Sequence, residues 1–197
     1  MWDERYARDD YLFGTEPNVF LCGQRTLLRH GGTCLAVADG EGRNGVWLAQ
    51  QGLDVLSIDS SHIAQEKARK LAAECKVALQ YELADLATWE WGEQRFDVIA
   101  AIFIQFAPPA LREQMFEKIK RSLKSGGILL LQGYTPRQLE YGTGGPAQIE
   151  NLYTEKLLRE AFSDMEIVHL QEHDEVLQEG AGHSGMSALL DLVARKR

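Results

Sequence analysis

Cysteine is scarce in this chain, and its three copies are an odd number. Cys34 falls in an apolar run and Cys75 near the end of an amphipathic one, so reduced thiols are expected rather than disulfides. Long apolar runs are missing as well: none approaches the ~18 residues of a membrane span. The first residues lack the basic-then-apolar order of a signal peptide, which makes the cytoplasm the expected location. An excess of basic residues is also lacking. Lys and Arg number 21 against 29 Asp and Glu, a formal net charge of −8. That balance argues against nucleic acid as a partner, because phosphate contacts demand a basic face. His30, His62, His169 and His173 lack metal-ligand spacing with one another or with the cysteines, so no metal site is expected. At 197 residues one core suffices, burying roughly 70% of the unfolded chain's surface.

Against these absences stands one organised stretch, from Thr33 through Gly40-Glu41-Gly42 to Asn44. Leu35 to Ala38 reads as a buried strand, two glycines break it, and an amphipathic pattern begins at Val46-Trp47-Leu48. Strand, glycine turn and helix in that order bring backbone close to a nucleotide-like ligand. A second apolar run, Val55 to Ile58, ends at Asp59, whose carboxylate stands where a ribose would present two hydroxyls. Gly40-Glu41-Gly42-Arg43-Asn44-Gly45 matches the G-x-G-x-x-G pattern of nicotinamide dinucleotide sites, with Asp59 19 positions after Gly40. Three features oppose that reading. Asp39 puts a carboxylate beside the turn where a pyrophosphate would lie. Asp85 closes a third apolar stretch, Val77 to Leu83, and suits an adenine amino group better than a phosphate. The chain also leaves little room for a separate substrate domain. An acidic cleft suits a cofactor with an uncharged linker, a sulfonium and an amino acid, which is S-adenosylmethionine.

The rest of the chain alternates between helical and strand patterns. Pro17 marks a leading helix through Phe20, Leu21, Leu27 and Leu28. Residues 1–32 read as an N-terminal cap over the cofactor, ahead of a core over 33–197. Ser60 or Ser61 caps a helix through Lys70 and Leu71, with Glu66, Lys67 and Lys70 on its wet face. Phe96 to Phe103 reads as the fourth strand. Pro108-Pro109 opens a helix with Leu111, Met115, Ile119 and Leu123 at helical spacing, stopped by Gly126 as a left-handed C-terminal glycine. Ile128 to Leu131 is a fifth strand, apolar without alternation and so buried on both faces. Ile167 to Val176 and Ala188 to Ala194 read as strands joined by Gly180-Ala181-Gly182-His183-Ser184-Gly185. The expected fold is α/β, a single domain over 1–197: a doubly wound, mostly parallel, seven-stranded Rossmann-like sheet with one antiparallel strand in a C-terminal hairpin. In such a sheet the ligand lies off the carboxyl ends of the strands.

Four stretches resemble the class I S-adenosylmethionine-dependent methyltransferases, in particular the small group similar to the tellurite-resistance and thiopurine methyltransferases. They are Trp2-Asp3-Glu4-Arg5-Tyr6 with Tyr11 to Asn18, Gly40-Glu41-Gly42-Arg43-Asn44, Phe96-Asp97-Val98-Ile99, and Leu123 to Leu130. Two positions depart from the pattern. Ala38 stands where many class I enzymes have glycine, and Ile104-Gln105 stands where close relatives carry a Cys-His pair. The resemblance implies methyl transfer from S-adenosylmethionine to a small-molecule acceptor by a monomer or weak homodimer. In that reading Gly40 and Gly42 let the turn approach the methionine end, and Asp59 accepts from the ribose hydroxyls. Asp85 and the Leu86 backbone resemble the adenine-recognising pair, Ile102 and Phe103 pave the floor, and Tyr11 and Gly14 close over the cofactor. Ala38, Asp39, Asn44 and Ser60 complete the cofactor-binding set.

The acceptor side rests on fewer residues. Residues 133–146 form a long polar stretch read as a substrate lid. Arg137 and Arg43 are placed to steer an anionic acceptor, His183 is the protic candidate, and Gln105 could hold the acceptor by hydrogen bonds. Gln105, His183 and Arg137 therefore form the candidate catalytic set. A general base matters only for a nucleophile that starts protonated, so the missing histidine at Gln105 favours a soft acceptor, a thiol or a chalcogen species. A binding protein without turnover, or a nicotinamide oxidoreductase, remain the alternatives.

Overall fold

The computed structural model describes residues 2–197. Its strands are β1 (Thr33–Val37), β2 (Asp54–Asp59), β3 (Gln80–Leu83), β4 (Phe96–Ile102), β5 (Leu123–Tyr134), β6 (Glu166–Glu179) and β7 (His183–Arg195). Its helices are α1 (Trp2–Tyr6), α2 (Val19–Gly23), α3 (Arg43–Gln50), α4 (His62–Glu74), α5 (Pro109–Ser122), α6 (Gln138–Tyr141) and α7 (Glu155–Ala161). The strands form one sheet in the order β3-β2-β1-β4-β5-β7-β6. Pairs from β3 to β5 are parallel, and β7 runs antiparallel to both β5 and β6. This is the expected Rossmann-like sheet with its closing hairpin, and its order reverses between β1 and β4, the point where such sheets open a crevice.

The central strands lack alternation because both of their faces are covered. Leu35 and Val37 of β1 face one layer with Ile99 and Leu129, against Met115 and Ile119 of α5 and Leu158 of α7. Cys34 and Ala36 face the other with Val98 and Leu130, against Leu21 of α2 and Leu48 of α3. Leu71 and Ala72 of α4 meet Val46 of α3 on that second side. No helix among the described residues is long and apolar enough to cross a membrane.

Several boundaries differ from expectation, each for a local reason. The leading helix stops at Gly23, and a separate 3₁₀ turn over Arg25–Leu27 follows. Ser61 rather than Ser60 caps α4, its Oγ accepting from the Ala64 N–H at 3.1 Å. The α5 helix ends at Ser122, ahead of Gly126, because Leu123 already has extended backbone (φ −68°, ψ 138°). β3 begins at Gln80, since Lys76 is left-handed (φ +57°) and the Val77 N–H still donates to the Ala72 carbonyl at 3.0 Å. β6 and β7 are longer than the sequence pattern implies, pairing from Glu166↔Arg195 to Glu179↔His183 and leaving three residues for the turn.

Candidate functional site

The turn after β1 is built by side chains that face inward. Ala38 is left-handed at φ +48°, a conformation that costs a residue with a Cβ atom. Asp39 then points back into the fold: Oδ1 accepts from the Gly45 N–H at 2.9 Å and Oδ2 from the Ser57 hydroxyl at 2.7 Å. Burial raises its pKa to about 7, against the lowering effect of those two donors. A Cβ on Gly45 would strike this carboxylate, so the last glycine of the pattern makes room for an acid. Gly40 (φ +57°) makes room for the N-terminal segment, because a Cβ there would stand 2.7 Å from the Tyr6 hydroxyl. At Gly42 (φ +88°) the Cβ would stand 2.6 Å from that of Ala68. Gly42 thus lies against α4 and does not line the cavity described next, which corrects the part expected for it at the methionine end.

Asp59 closes β2 with both oxygens engaged, Oδ2 by the Gly40 N–H at 2.9 Å and Oδ1 by the Ser61 N–H at 2.8 Å. Burial raises its pKa. It lines a cavity at the carboxyl ends of the strands, together with Gly14, Ala38, Asp39, Gly40, Asn44 and Ser60. Asp85, Leu86, Ile102, Phe103 and His183 complete the expected residues on that wall. Asp85 is exposed and braces its own turn, Oδ1 accepting from the Ala87 N–H at 2.9 Å. Phe103 is left-handed (φ +56°), and its ring stacks on Tyr134 at 4.8 Å.

Tyr11 does not reach this cavity. Its ring packs near Val46 and Leu71, and its hydroxyl donates to the Lys67 carbonyl at 3.2 Å. Trp2, Tyr6, Phe13 and Phe106 close the cavity instead, and the sequence reading gave none of them a role. A signal was present: Trp2 and Tyr6 stand four apart, the spacing that puts two rings on one helix face. In α1 those rings lie 5.7 Å apart and stacked.

Two charged residues also sit differently from expectation. Lys67 leaves the wet face of α4, and its ammonium donates to Glu41 at 2.5 Å and to the Arg8 and Asp10 carbonyls at 3.0 and 2.7 Å. Glu41 in turn accepts from the Leu12 N–H at 2.8 Å. Arg43 lines the cavity, but its guanidinium is held by Glu179 at 2.7 Å, with both side chains buried. It joins the turn to the β6–β7 hairpin and is not a free cation for an acceptor.

The three candidate catalytic residues are not brought together. Gln105 and His183 line a second cavity beside the first. The Gln105 amide is wholly engaged by backbone, donating to the carbonyls of Tyr134 (2.8 Å) and Asn151 (3.1 Å) and accepting from the Tyr134 N–H (2.5 Å). It braces β5, and with both N–H donors taken it has none left to hold an anionic acceptor, which corrects that expectation. Arg137 lies outside both cavities, half-exposed and paired with Asp174 at 2.8 Å. The stretch over 133–146 is fastened down: Gln138 accepts from the Ala188 N–H at 2.9 Å and donates to Thr143 at 3.0 Å. Only its end, Gly145 and Pro146, joins Tyr134 on the second cavity's wall.

His183 lies in both walls, its ring 4.5 Å from that of Phe13 and 4.3 Å from that of Phe103. Its Nδ1 is 2.5 Å from the Tyr134 hydroxyl. Burial, then the charges of Arg43 and Arg5, lowers its pKa to about 3. Burial raises that of Tyr134. The phenol therefore keeps its proton and the imidazole is neutral, so the pair shares one hydrogen bond between two uncharged groups.

Residues 34–127 match the protein family described as a methyltransferase domain. Over those residues the chain is similar to a methyltransferase domain. The match runs from β1 into β5 and takes in the glycine turn and, from the first cavity's wall, Asp59, Asp85 and Phe103. A curated relative from Sulfurimonas denitrificans, named carboxy-S-adenosyl-L-methionine synthase, is 24% identical over 123 residues, 62% of this chain and 51% of the relative. The chain thus spans about half the length of that relative. Among solved structures, an S-adenosylmethionine-dependent methyltransferase from Methanosarcina mazei superposes with a TM-score of 0.74 at 17% identity, covering 92% of this chain and 98% of that one. TehB from Haemophilus influenzae superposes with a TM-score of 0.72 at 18% identity, over 90% and 61% respectively. At such identities the two structures speak for the methyltransferase fold.

Proposed function

We propose that this chain methylates a small acceptor that arrives as a strong nucleophile, a thiolate or a reduced chalcogen species, with S-adenosylmethionine as donor. The observation that carries the acceptor class is the state of His183. With a pKa near 3 it is neutral at physiological pH and has little affinity for a proton. Tyr134 keeps its proton, and the Gln105 amide is already engaged. An acceptor that needs a base would find none among these three, whereas a pre-ionised one needs only orientation and dryness.

The cofactor cavity suits S-adenosylmethionine by the chemistry of its donors. When bound, that cofactor supplies an activated methyl on a sulfonium with a neutral leaving group. Asp59 is buried and aimed by two backbone donors, which fixes the carboxylate that would accept from ribose hydroxyls. Asp85 and Leu86 stand at the adenine end, Ile102 and Phe103 give the floor, and Gly14 approaches from the cap. Asp59 and Asp85, neither paired with a cation among the described residues, favour a cationic ligand over a pyrophosphate, which disfavours the nicotinamide reading. Trp2, Phe13 and Phe106 exclude water from the reacting end.

Calorimetric titration with S-adenosylmethionine, S-adenosylhomocysteine and NAD in parallel tests the cofactor. Micromolar binding of the first two without NAD supports the assignment, and binding of NAD alone overturns it. An acceptor screen with small thiols and chalcogen oxyanions, read as S-adenosylhomocysteine formed, then tests the acceptor class. Turnover confined to acceptors that must lose a proton from a high-pKa group would sink it.

A further inference from the structure

The two cavities share the rings of Trp2, Phe13, Phe103, Phe106 and His183, and across that partition the charge changes sign. The cofactor side carries four carboxylates, of which Glu41 is paired with Lys67, and its one lining cation, Arg43, is neutralised by Glu179. The second cavity holds no Asp or Glu among the described residues, and its one charged residue is Arg5. The Arg5 guanidinium lies over the Trp2 ring, Cζ 4.6 Å from the centroid, and no carboxylate among the described residues pairs with it. Phe106 keeps 40% of its surface exposed beside it.

We propose that the second cavity is the acceptor subsite and that it takes a small aryl carboxylate, whose anionic end pairs with Arg5 and whose nucleophilic atom points across the partition to the cofactor. This rests on the methyl-transfer reading above and adds the acceptor's shape and charge to it. A guanidinium offers parallel N–H donors that match a carboxylate. Rings on several sides accept a flat arene by stacked or edge contacts. With Arg5 as the only lining cation among the described residues, a second anionic group at that end would lie against apolar rings without a partner. The nucleophilic end meets the opposite situation, because the cofactor it faces is cationic. For 4-mercaptobenzoate as probe, the thiolate sulfur forms a bond to the methyl carbon as that carbon's bond to the sulfonium breaks. The electron pair of the broken bond stays on the cofactor's sulfur, giving 4-(methylthio)benzoate and S-adenosylhomocysteine with no proton moved.

Benzoate, which carries no nucleophile, separates binding from turnover. Calorimetry on the full chain with saturating S-adenosylhomocysteine compares benzoate with benzyl alcohol, its uncharged analogue. Benzoate is expected to bind the tighter of the two. Arg5→Ala is expected to weaken benzoate about two- to fivefold, the scale of an exposed charged pair, and to leave benzyl alcohol unchanged. Arg5→Lys should fall between, since it keeps the charge and loses the fork. With 4-mercaptobenzoate, Arg5→Ala should raise KM and keep kcat. Equal binding of the two probes, or no response of benzoate to Arg5→Ala, overturns the proposal while S-adenosylhomocysteine binding leaves methyl transfer standing. Failure of S-adenosylhomocysteine to bind sinks the methyl-transfer reading instead, and Arg5-dependent benzoate binding would then retain an anion subsite without it.

Discussion

Glu41 in the glycine turn and Lys67 in α4 form an ion pair, Nζ 2.5 Å from Oε1, with side chains 3% and 15% exposed respectively. The same ammonium donates to the Arg8 and Asp10 carbonyls, so one residue seats the N-terminal segment on the turn it covers. Asp3 adds a second fastening by accepting from the Ser61 hydroxyl at the head of α4. The cap over the cofactor cavity is thus held by charge and backbone hydrogen bonds as much as by its rings.

Lys67→Met should therefore act on stability and on binding together. It leaves Glu41 buried without a counter-ion, which costs about 3–5 kcal/mol and is read as a lower urea midpoint. Affinity for S-adenosylhomocysteine should fall as well, because Trp2 and Tyr6 lose their seat. The Glu41→Gln/Lys67→Met double variant should recover part of the stability, since no charge is then left unpaired. Unchanged cofactor affinity in Lys67→Met would separate the cap from the site.

The two glycines of the turn should fail in different ways. Alanine at Gly42 meets the Ala68 Cβ at 2.6 Å and Cα at 2.9 Å, contacts that a packed helix relieves only by moving. Overpacking of that kind costs about 1–3 kcal/mol, and left-handed backbone adds about 1–2 kcal/mol. Alanine at Gly40 meets only the Tyr6 hydroxyl closely, so Tyr6→Phe should restore part of the loss. Thermal melts of the two single variants and the Gly40→Ala/Tyr6→Phe pair check this. A pair no more stable than Gly40→Ala alone would show that backbone strain dominates there.

Asp59→Ala should remove the ribose contact and leave that of adenine. Hydrogen bonds to a charged group are worth about 1.5–3 kcal/mol, so S-adenosylhomocysteine should bind roughly 10–100-fold more weakly, with adenine itself bound as before. The Gly40 and Ser61 N–H groups also lose their acceptor, so the Tm should drop too. Equal losses for adenine and S-adenosylhomocysteine would mean that the turn has collapsed and would not support a ribose contact.

Much of the fold was legible because its signals are local. Leu35 to Ala38, Val55 to Ile58 and Ile128 to Leu131 are apolar without alternation, and strands covered on both faces require that. The wall of the first cavity followed from topology, which puts Asp59, Asp85 and Phe103 at strand ends wherever the helices lie. What escaped the sequence depends on contacts between distant segments. Lys67 has the spacing of a solvated helix position, and only the turn of Glu41, 26 residues away, gives it a partner. Gln105 looks free until Tyr134 and Asn151 pass beside it with backbone groups to satisfy. Tyr11 and Tyr6 are both tyrosines of the opening segment, and although the spacing of Trp2 and Tyr6 puts their rings on one face of a five-residue helix, it does not say that this face turns to the cavity.

His183 and Asp39 should pull the stability–pH profile in opposite directions. The folded pKa of His183, about 3, lies below an unfolded value of about 6.5. The native state then binds fewer protons than the unfolded one across that window, so this residue makes stability rise with pH. Asp39 is the reverse case. Its folded pKa of about 7 lies above an unfolded value of about 3.9, the native state binds more protons, and stability falls as pH rises between the two. In wild type the slopes oppose each other from about pH 4 to 6.5 and the Tm should vary little. Asp39→Asn keeps an acceptor for the Gly45 N–H and removes the larger falling component, Asp59 being raised by burial as well, so its Tm should climb with pH and level off near neutrality. His183→Phe keeps a ring between Phe13 and Phe103 and removes the rising component, so its Tm should decline over the same range. Melts followed by circular dichroism across that range decide it. If Asp39→Asn kept the wild-type profile, the buried carboxylate would already be ionised throughout, and the electrostatic account of the turn would have to be rebuilt on a charged Asp39.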